Sequence, residues 1–175
     1  MAVTFVLFKG ALTGPSPVDR ARIGSKHHLI TDSHGIPLAI SLTGGNRNDV
    51  TQLLPLVDGV GPINGKPGRP RQRADRVLAD RGYDHDKYRR ALRARGVQPV
   101  IARRGTDHGS GLGRERWVVE RTFAHLHNLR RLRTRYERSD QLHYRLCCSA
   151  APSSANASSP PERYSSSSST LKRPY

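Results

Sequence analysis

Residues 76–102 read RVLADRGYDHDKYRRALRARGVQPVIA, and this stretch decides the fold class. Residues 76–80, RVLAD, form a short apolar run ending in an acid, which reads as a strand. Residues 84–95 read as a helix begun by Asp84 or Asp86, with Tyr88 and Leu92 turned inward. Residues 97–102, VQPVIA, read as a second strand. Strand, helix, strand in so short a span is the α/β pattern. Asp80 then stands at the C-terminal end of a strand, where open α/β sheets place ligand-binding groups. On position alone, the plainer role of capping the turn before the helix is favoured.

Upstream, residues 1–8, MAVTFVLF, suit a buried strand, and residues 9–26 carry Gly, Pro and basic residues and read as a loop. Two apolar runs, Leu29–Thr31 and Ile36–Leu42, flank a turn at Asp32–Gly35 and predict a β-hairpin. Val50, Leu53, Leu54 and Val57 have helical spacing, with Asn48 or Asp49 as N-cap and Pro55 as a weakness. Gly59–Ala74 is a basic Pro/Gly loop. After the Gly-rich loop Arg103–Gly113, a helix is predicted over roughly 114–135. It has an apolar stripe of Val119, Phe123 and Leu126, and a neighbouring face of Arg116, Glu120, Ala124 and His127. By spacing alone, Glu120 is an ion-pair partner of Arg116 on a solvated face.

The net charge of +16 and the pI of about 11.1 call for a polyanionic partner, of which nucleic acid is the commonest. Residues 149–175 hold ten serines, five consecutive at 165–169, and are expected to be a disordered tail. Residues 1–148 keep 27 basic against 13 acidic side chains, so the charge belongs to the folded part. Arg130, Arg131, Arg133, Arg135 and Arg138 prolong the last helix as a phosphate-binding surface. Lys66, Arg69, Arg71 and Arg73 offer a second basic segment. The adjacent pair Cys147 and Cys148 allows neither a disulfide framework nor a CxxC knuckle. The apolar run Met1–Phe8 is too short to span a bilayer and lacks the marks of a signal peptide, so a cytoplasmic protein is expected.

Two long strings carry a resemblance. TGPSPVDRARIGSKHHLITDSHGIPLAISLTGGNRNDVTQLLPL and LADRGYDHDKYRRALRARGVQPVIARRGTDHGSGLGRERWVVERTFAHLHNLRRLRTRYERSD together cover most of residues 9–143. They resemble the DDE transposases of bacterial insertion sequences, specifically the family numbered five. The resemblance implies an RNase H-like mixed sheet with flanking helices, truncated at both ends, and a partial catalytic domain over residues 1–148. It also implies metal-dependent DNA strand cleavage and strand transfer with two divalent cations, usually Mg2+, held by three carboxylates. Asp80 matches the second Asp, Glu120 the Glu, and Arg116 the Arg four residues before it. The resemblance therefore implies that Asp80 and Glu120 share one crevice within roughly 8 Å.

Departures accompany the match. His127 stands where the family often has Lys, and Gly113 where a Tyr is expected. The segment MAVTFVLF, where the first Asp belongs, contains no carboxylate. Asp19 and Asp32 match other family positions and are poor substitutes. After His143 the match fades into YRLCCSAAPSSANASSPPERY, in place of an apolar helix, as a frameshift would produce. The copy is therefore expected to be inactive alone. The rival expectations are a non-catalytic DNA-binding fragment that regulates an intact transposase, and an unfolded pseudogene product. Arg116, Arg121, His127, Arg130, Arg131, Arg133, Lys66, Arg69 and Arg71 are the expected DNA contacts.

Overall fold

The structure is a computed structural model. It describes residues 2–6, 11–17, 20–63, 70, 71, 73–105 and 113–150, and of 2–6 and 113–116 the backbone alone. Lys66, Arg69 and Asp19 lie outside the described residues, as does the Ser-rich segment from residue 151 onward.

The centre of the fold is β3 (Ile23–Thr31). It pairs antiparallel with β1 (Ala2–Val6) on one edge and with β4 (Pro37–Gly44) on the other. Gly24 pairs with both Val6 and Gly14. The two-residue strand β2 (Gly14–Pro15) therefore continues the edge that β4 occupies from Ser25 onward. The expected hairpin is present, but β3 starts at Ile23, six residues before Leu29, inside what composition suggested was loop. Pairing on both edges overrides the weak strand propensity of Gly24, Ser25 and Lys26.

The turn is built by Asp32, whose Oδ1 accepts hydrogen bonds from the backbone N–H of His34 and of Ile36, both at 2.8 Å. Gly35 sits at φ +90°, and a Cβ there would come within 2.9 Å of Thr122 Oγ1. This strand reversal is thus shaped for the helix that covers it.

Successive β3 side chains point to opposite faces. Leu29 joins Phe123, Leu126, Leu132 and Cys147 in one apolar cluster. Ile30 packs against the other, formed by Val50, Leu53, Val77, Tyr83, Leu92, Val97 and Ile101. The second cluster unites a 3-10 turn at Asp49–Gln52, α1 (Leu53–Asp58), β5 (Arg76–Ala79), α2 (Asp86–Ala94) and β6 (Gln98–Ile101). Asn48 caps the turn through Oδ1, which accepts from Val50 N at 3.2 Å, and Pro55 falls in the first turn of α1, where its missing N–H costs little. β5 and β6 run parallel, as the strand–helix–strand reading requires. They form a two-stranded sheet of their own, hydrogen-bonded to none of the other described strands. In place of one mixed sheet, the described residues give an antiparallel and a parallel sheet joined through apolar packing.

The first cluster is covered by α3 (Gly113–Asn128), α4 (Arg130–Arg133) and α5 (Asp140–Ala150). The single helix expected over 114–135 is two, because Leu129 is extended (φ −78°, ψ 109°), and Thr134 is extended again. The break turns Leu132 into the core, where a continued α3 would have swung it along the surface. The helix expected to be lost after His143 is also present: α5 runs to Ala150 and buries His143 and Cys147.

Candidate functional site

Asp80 ends β5 and starts a 3-10 turn, Arg81–Tyr83. Its Oδ1 accepts from Gly82 N at 2.9 Å, so the capping role read from position is real. A Cβ on Gly82 would approach that oxygen to 3.0 Å. Among the described residues Oδ2 takes no hydrogen bond or ion pair, and the carboxylate is part-exposed. Capping and ligation are compatible here, because they use different oxygens.

The frame behind Asp80 is a charged clamp. Arg89 is buried on α2 and donates to Asp84 Oδ1 through Nε at 2.8 Å and Nη2 at 2.6 Å, and to Ile101 O at 2.9 Å. The backbone N–H of Arg104 donates to Asp84 Oδ2 at 2.8 Å. That backbone bond first, and the Arg89 guanidinium second, hold the Asp84 carboxyl below its ordinary pKa. One acid thus ties the start of α2 to the end of β6 and fixes the turn that carries Asp80.

Sequence reasoning gave Asp49 only a capping role, and the fold gives it more. The 3-10 turn it begins packs on the turn Asp80 begins. Asp49 Oδ1 accepts from Lys26 Nζ at 2.7 Å. Burial, then Asp49, then Asp80 push the Tyr83 hydroxyl above its ordinary pKa, so both carboxylates act on one buried phenol. The spacing of 31 residues carries no local signal for this meeting, which depends on β3 and its flanking turn. Asp32, in contrast, is occupied by the hairpin turn.

Glu120 is exposed on α3. The cluster that holds α3 meets β3 through Leu29, and the cluster behind Asp80 meets it through Ile30. Arg116 is on the first turns of α3 and its side chain lies outside the described atoms. Arg121 donates from Nη2 to His34 O at 2.7 Å and lies over the Trp117 ring, 4.5 Å from its centroid. His127 is half-buried, 5.9 Å from Phe123 between ring centroids, and burial lowers its pKa, so it is a neutral ring at pH 7. Arg130, Arg131 and Arg133 are exposed on α4, with Arg131 Nε 3.4 Å from Glu137 Oε1. Arg71 is exposed and pairs with Asp75 at 2.7 Å.

Arg135 does not belong to the surface run. It is fully buried and donates to Ser25 Oγ at 2.6 Å, Glu137 O at 2.9 Å and Arg138 O at 3.2 Å. The extended residue Thr134 rotates it inward, away from the face of Arg131 and Arg133.

Residues 7–151 match the family model described as "Transposase DDE domain". The chain belongs to this family. It is 64% identical over 131 residues to a Burkholderia cepacia protein named "Putative transposase for insertion sequence element IS402", covering 75% of this chain and 62% of that one. It is 28% identical over 155 residues to "Transposase for insertion sequence element IS1106" of Neisseria meningitidis serogroup B, covering 80% of this chain and 50% of that one. The chain thus spans between half and two thirds of the length of these transposases. No solved structure matches it. The family match reaches residue 151, past His143 and through α5. No described helix is long and apolar enough to cross a membrane.

Proposed function

We propose that the chain is part of an insertion-sequence transposase of RNase H-like architecture that acts on DNA in the cytoplasm. By the family resemblance Asp80 and Glu120 are its metal-holding carboxylates, which requires them to meet past the edge of β3, whose opposite faces hold their clusters. The observation that carries this reading is a transposase DDE-domain match over residues 7–151, with Asp80 at the C-terminal end of a parallel strand on a braced turn. Transposase DDE domains generally use a divalent metal, and the hard oxygens of two carboxylates suit Mg2+. Bound there, the ion supplies an activated oxygen nucleophile and stabilises the leaving oxygen. The protein's own part is positional. The Asp84–Arg89 clamp braces the turn that carries Asp80, and Arg130, Arg131 and Arg133 hold DNA phosphates.

Residues 1–8 contain no carboxylate, and the resemblance puts the family's first Asp at Met1. This favours a second reading, in which the chain binds DNA without cutting it and acts on an intact transposase. Incubation with plasmid and Mg2+ or Mn2+ separates the two. No nicking is expected from the wild type. Nicking abolished by Asp80→Ala would restore the catalytic reading, and Asp49→Asn would then test whether Asp49 serves as third acid. Either way DNA affinity should fall steeply with salt. Affinity unchanged between low and high salt would remove DNA as the partner.

A further inference from the structure

The first apolar cluster contains a polar pocket that transposition chemistry does not use. His27 points from β3 to His143 and Cys147 on α5, and all three are buried. His27 Nε2 lies 2.8 Å from His143 Nε2 and 3.5 Å from Cys147 Sγ, and the three donor atoms lie within 4.8 Å of one another. His143 Nδ1 lies 3.2 Å from Glu137 Oε2, itself buried. A carboxylate on the far nitrogen of a histidine fixes that proton on Nδ1 and aims the Nε2 lone pair at its target, as it does behind metal-bound histidines.

We propose that His27, His143 and Cys147 form a three-ligand zinc site that pins α5 to β3, with Glu137 positioning His143. The donor set is two imidazole nitrogens and one sulfur, which selects Zn2+ over the hard Mg2+ of a carboxylate site. Bonds of about 2.3 Å to sulfur and 2.0–2.1 Å to nitrogen put tetrahedral ligands roughly 3.5 Å apart for S and N, and roughly 3.3 Å apart for two N. The Cys147–His27 distance already matches. The two imidazoles, stacked at 13° with centroids 5.0 Å apart, must separate by about 0.5 Å. The fourth position falls to water.

The proton balance is set by the contacts. Without metal, two imidazole nitrogens at 2.8 Å need one proton between them. With Nδ1 of His143 protonated towards Glu137, that proton is on His27 Nε2. Zinc takes its place, and the His27 proton moves to Nδ1. Cys147 ligates as thiolate, its S–H proton passing to solvent, so one proton is released per ion. The buried thiol gives up its proton when the cation takes the proton's place. Other charges near the pocket are the Arg135 guanidinium, which favours the thiolate and opposes the cation, and Glu137, which offsets it. His127 and His28 are neighbours in neutral form.

The test uses the whole 175-residue chain and the metal alone. Equilibrium dialysis against Zn2+ should leave one equivalent bound after a wash. Co2+ in its place should give the intense visible bands of a tetrahedral ion and a thiolate-to-cobalt charge-transfer band. Cys147→Ser, nearly isosteric, should remove the charge-transfer band, while Cys148→Ser keeps it. Asp80→Ala and Glu120→Gln should leave stoichiometry and spectrum unchanged, which separates this site from the proposed Mg2+ site. Less than half an equivalent of zinc, a cobalt spectrum without the charge-transfer band in the wild type, or loss of the band in Cys148→Ser alone would each overturn the proposal.

Discussion

The two faces of β3 solve the same packing problem in opposite ways. On the Ile30 face the apolar cluster is flanked by buried polar groups that satisfy one another locally: Lys26 with Asp49, His28 with Thr43, and Asp84 with Arg89 and the Arg104 backbone. On the Leu29 face the interior contains His27, His143, Glu137 and Arg135 beside its apolar residues. The first keeps its polar groups in separate pairs, and the second joins them in one network. A buried polar network is stable only while every member keeps its partner.

Acid should therefore weaken both faces, the second more than the first because it buries two histidines against one, and this is the largest effect expected. Burial first, then the neighbouring His143, lowers the pKa of His27 from 6.5 to about 3, and burial lowers that of His143 as well. A histidine whose folded pKa is depressed is protonated first in the unfolded chain. Stability present above pH 6.5 is thus lost as pH falls from 6.5 towards 3, at about 1.4 kcal/mol per unit per group. For the metal-free chain, a drop of several kcal/mol is expected between pH 7 and 4, with His28 contributing as well, read as the urea midpoint. Asp84, with its lowered pKa, adds a loss only below its ordinary value near 4. A flat stability curve from pH 7 to 5 would erase the contrast.

Arg135→Ala comes next. It removes three hydrogen bonds from the interior, leaves Glu137 O without its guanidinium donor, and opens a large cavity, which should together cost about 3 kcal/mol or more. A stabilised variant would mean that dehydrating the guanidinium costs more than its bonds return. Leu92→Ala, at a fully buried position of the apolar face, should cost about 3 kcal/mol by cavity formation, with the same value at pH 7 and pH 5. A pH-dependent penalty there would show that the faces are coupled. Smallest is Arg121→Ala, which removes an exposed bond to His34 O and a ring contact with Trp117, together worth under about 1 kcal/mol. It should weaken DNA binding more visibly than it lowers the melting temperature.

The contrast also explains which parts of the fold could be read in advance. The Ile30 face announces itself locally: RVLAD, a short amphipathic helix and VQPVIA are neighbours in sequence, and Asn48 caps the 3-10 turn directly after it. The Asp32–Gly35 turn is equally local. The Leu29 face is not. Nothing near Ser25 or His27 signals a strand covered on both sides, because the groups that satisfy them arrive from Arg135 and His143. Arg135 looks like its neighbours in an arginine run until Leu129 and Thr134 break the helix. The place of Asp80 at a strand end was legible in the sequence, whereas the packing of the Asp49 turn on the Asp80 turn was not.

The span between His27 and His143 has a consequence in time. The two rings are 116 residues apart in the chain. The strand–helix–strand unit closes over a few tens of residues and can form as soon as it is synthesised, whereas β3 needs a helix made near the end. At about 5–20 residues per second, His27 waits roughly 6–20 seconds for its partner. During that interval the polar face of β3 stays hydrated and the strand is held by its hairpin with β4 alone on that side. The Leu29 face is therefore the last to be completed in synthesis, and α5 is the segment that completes it.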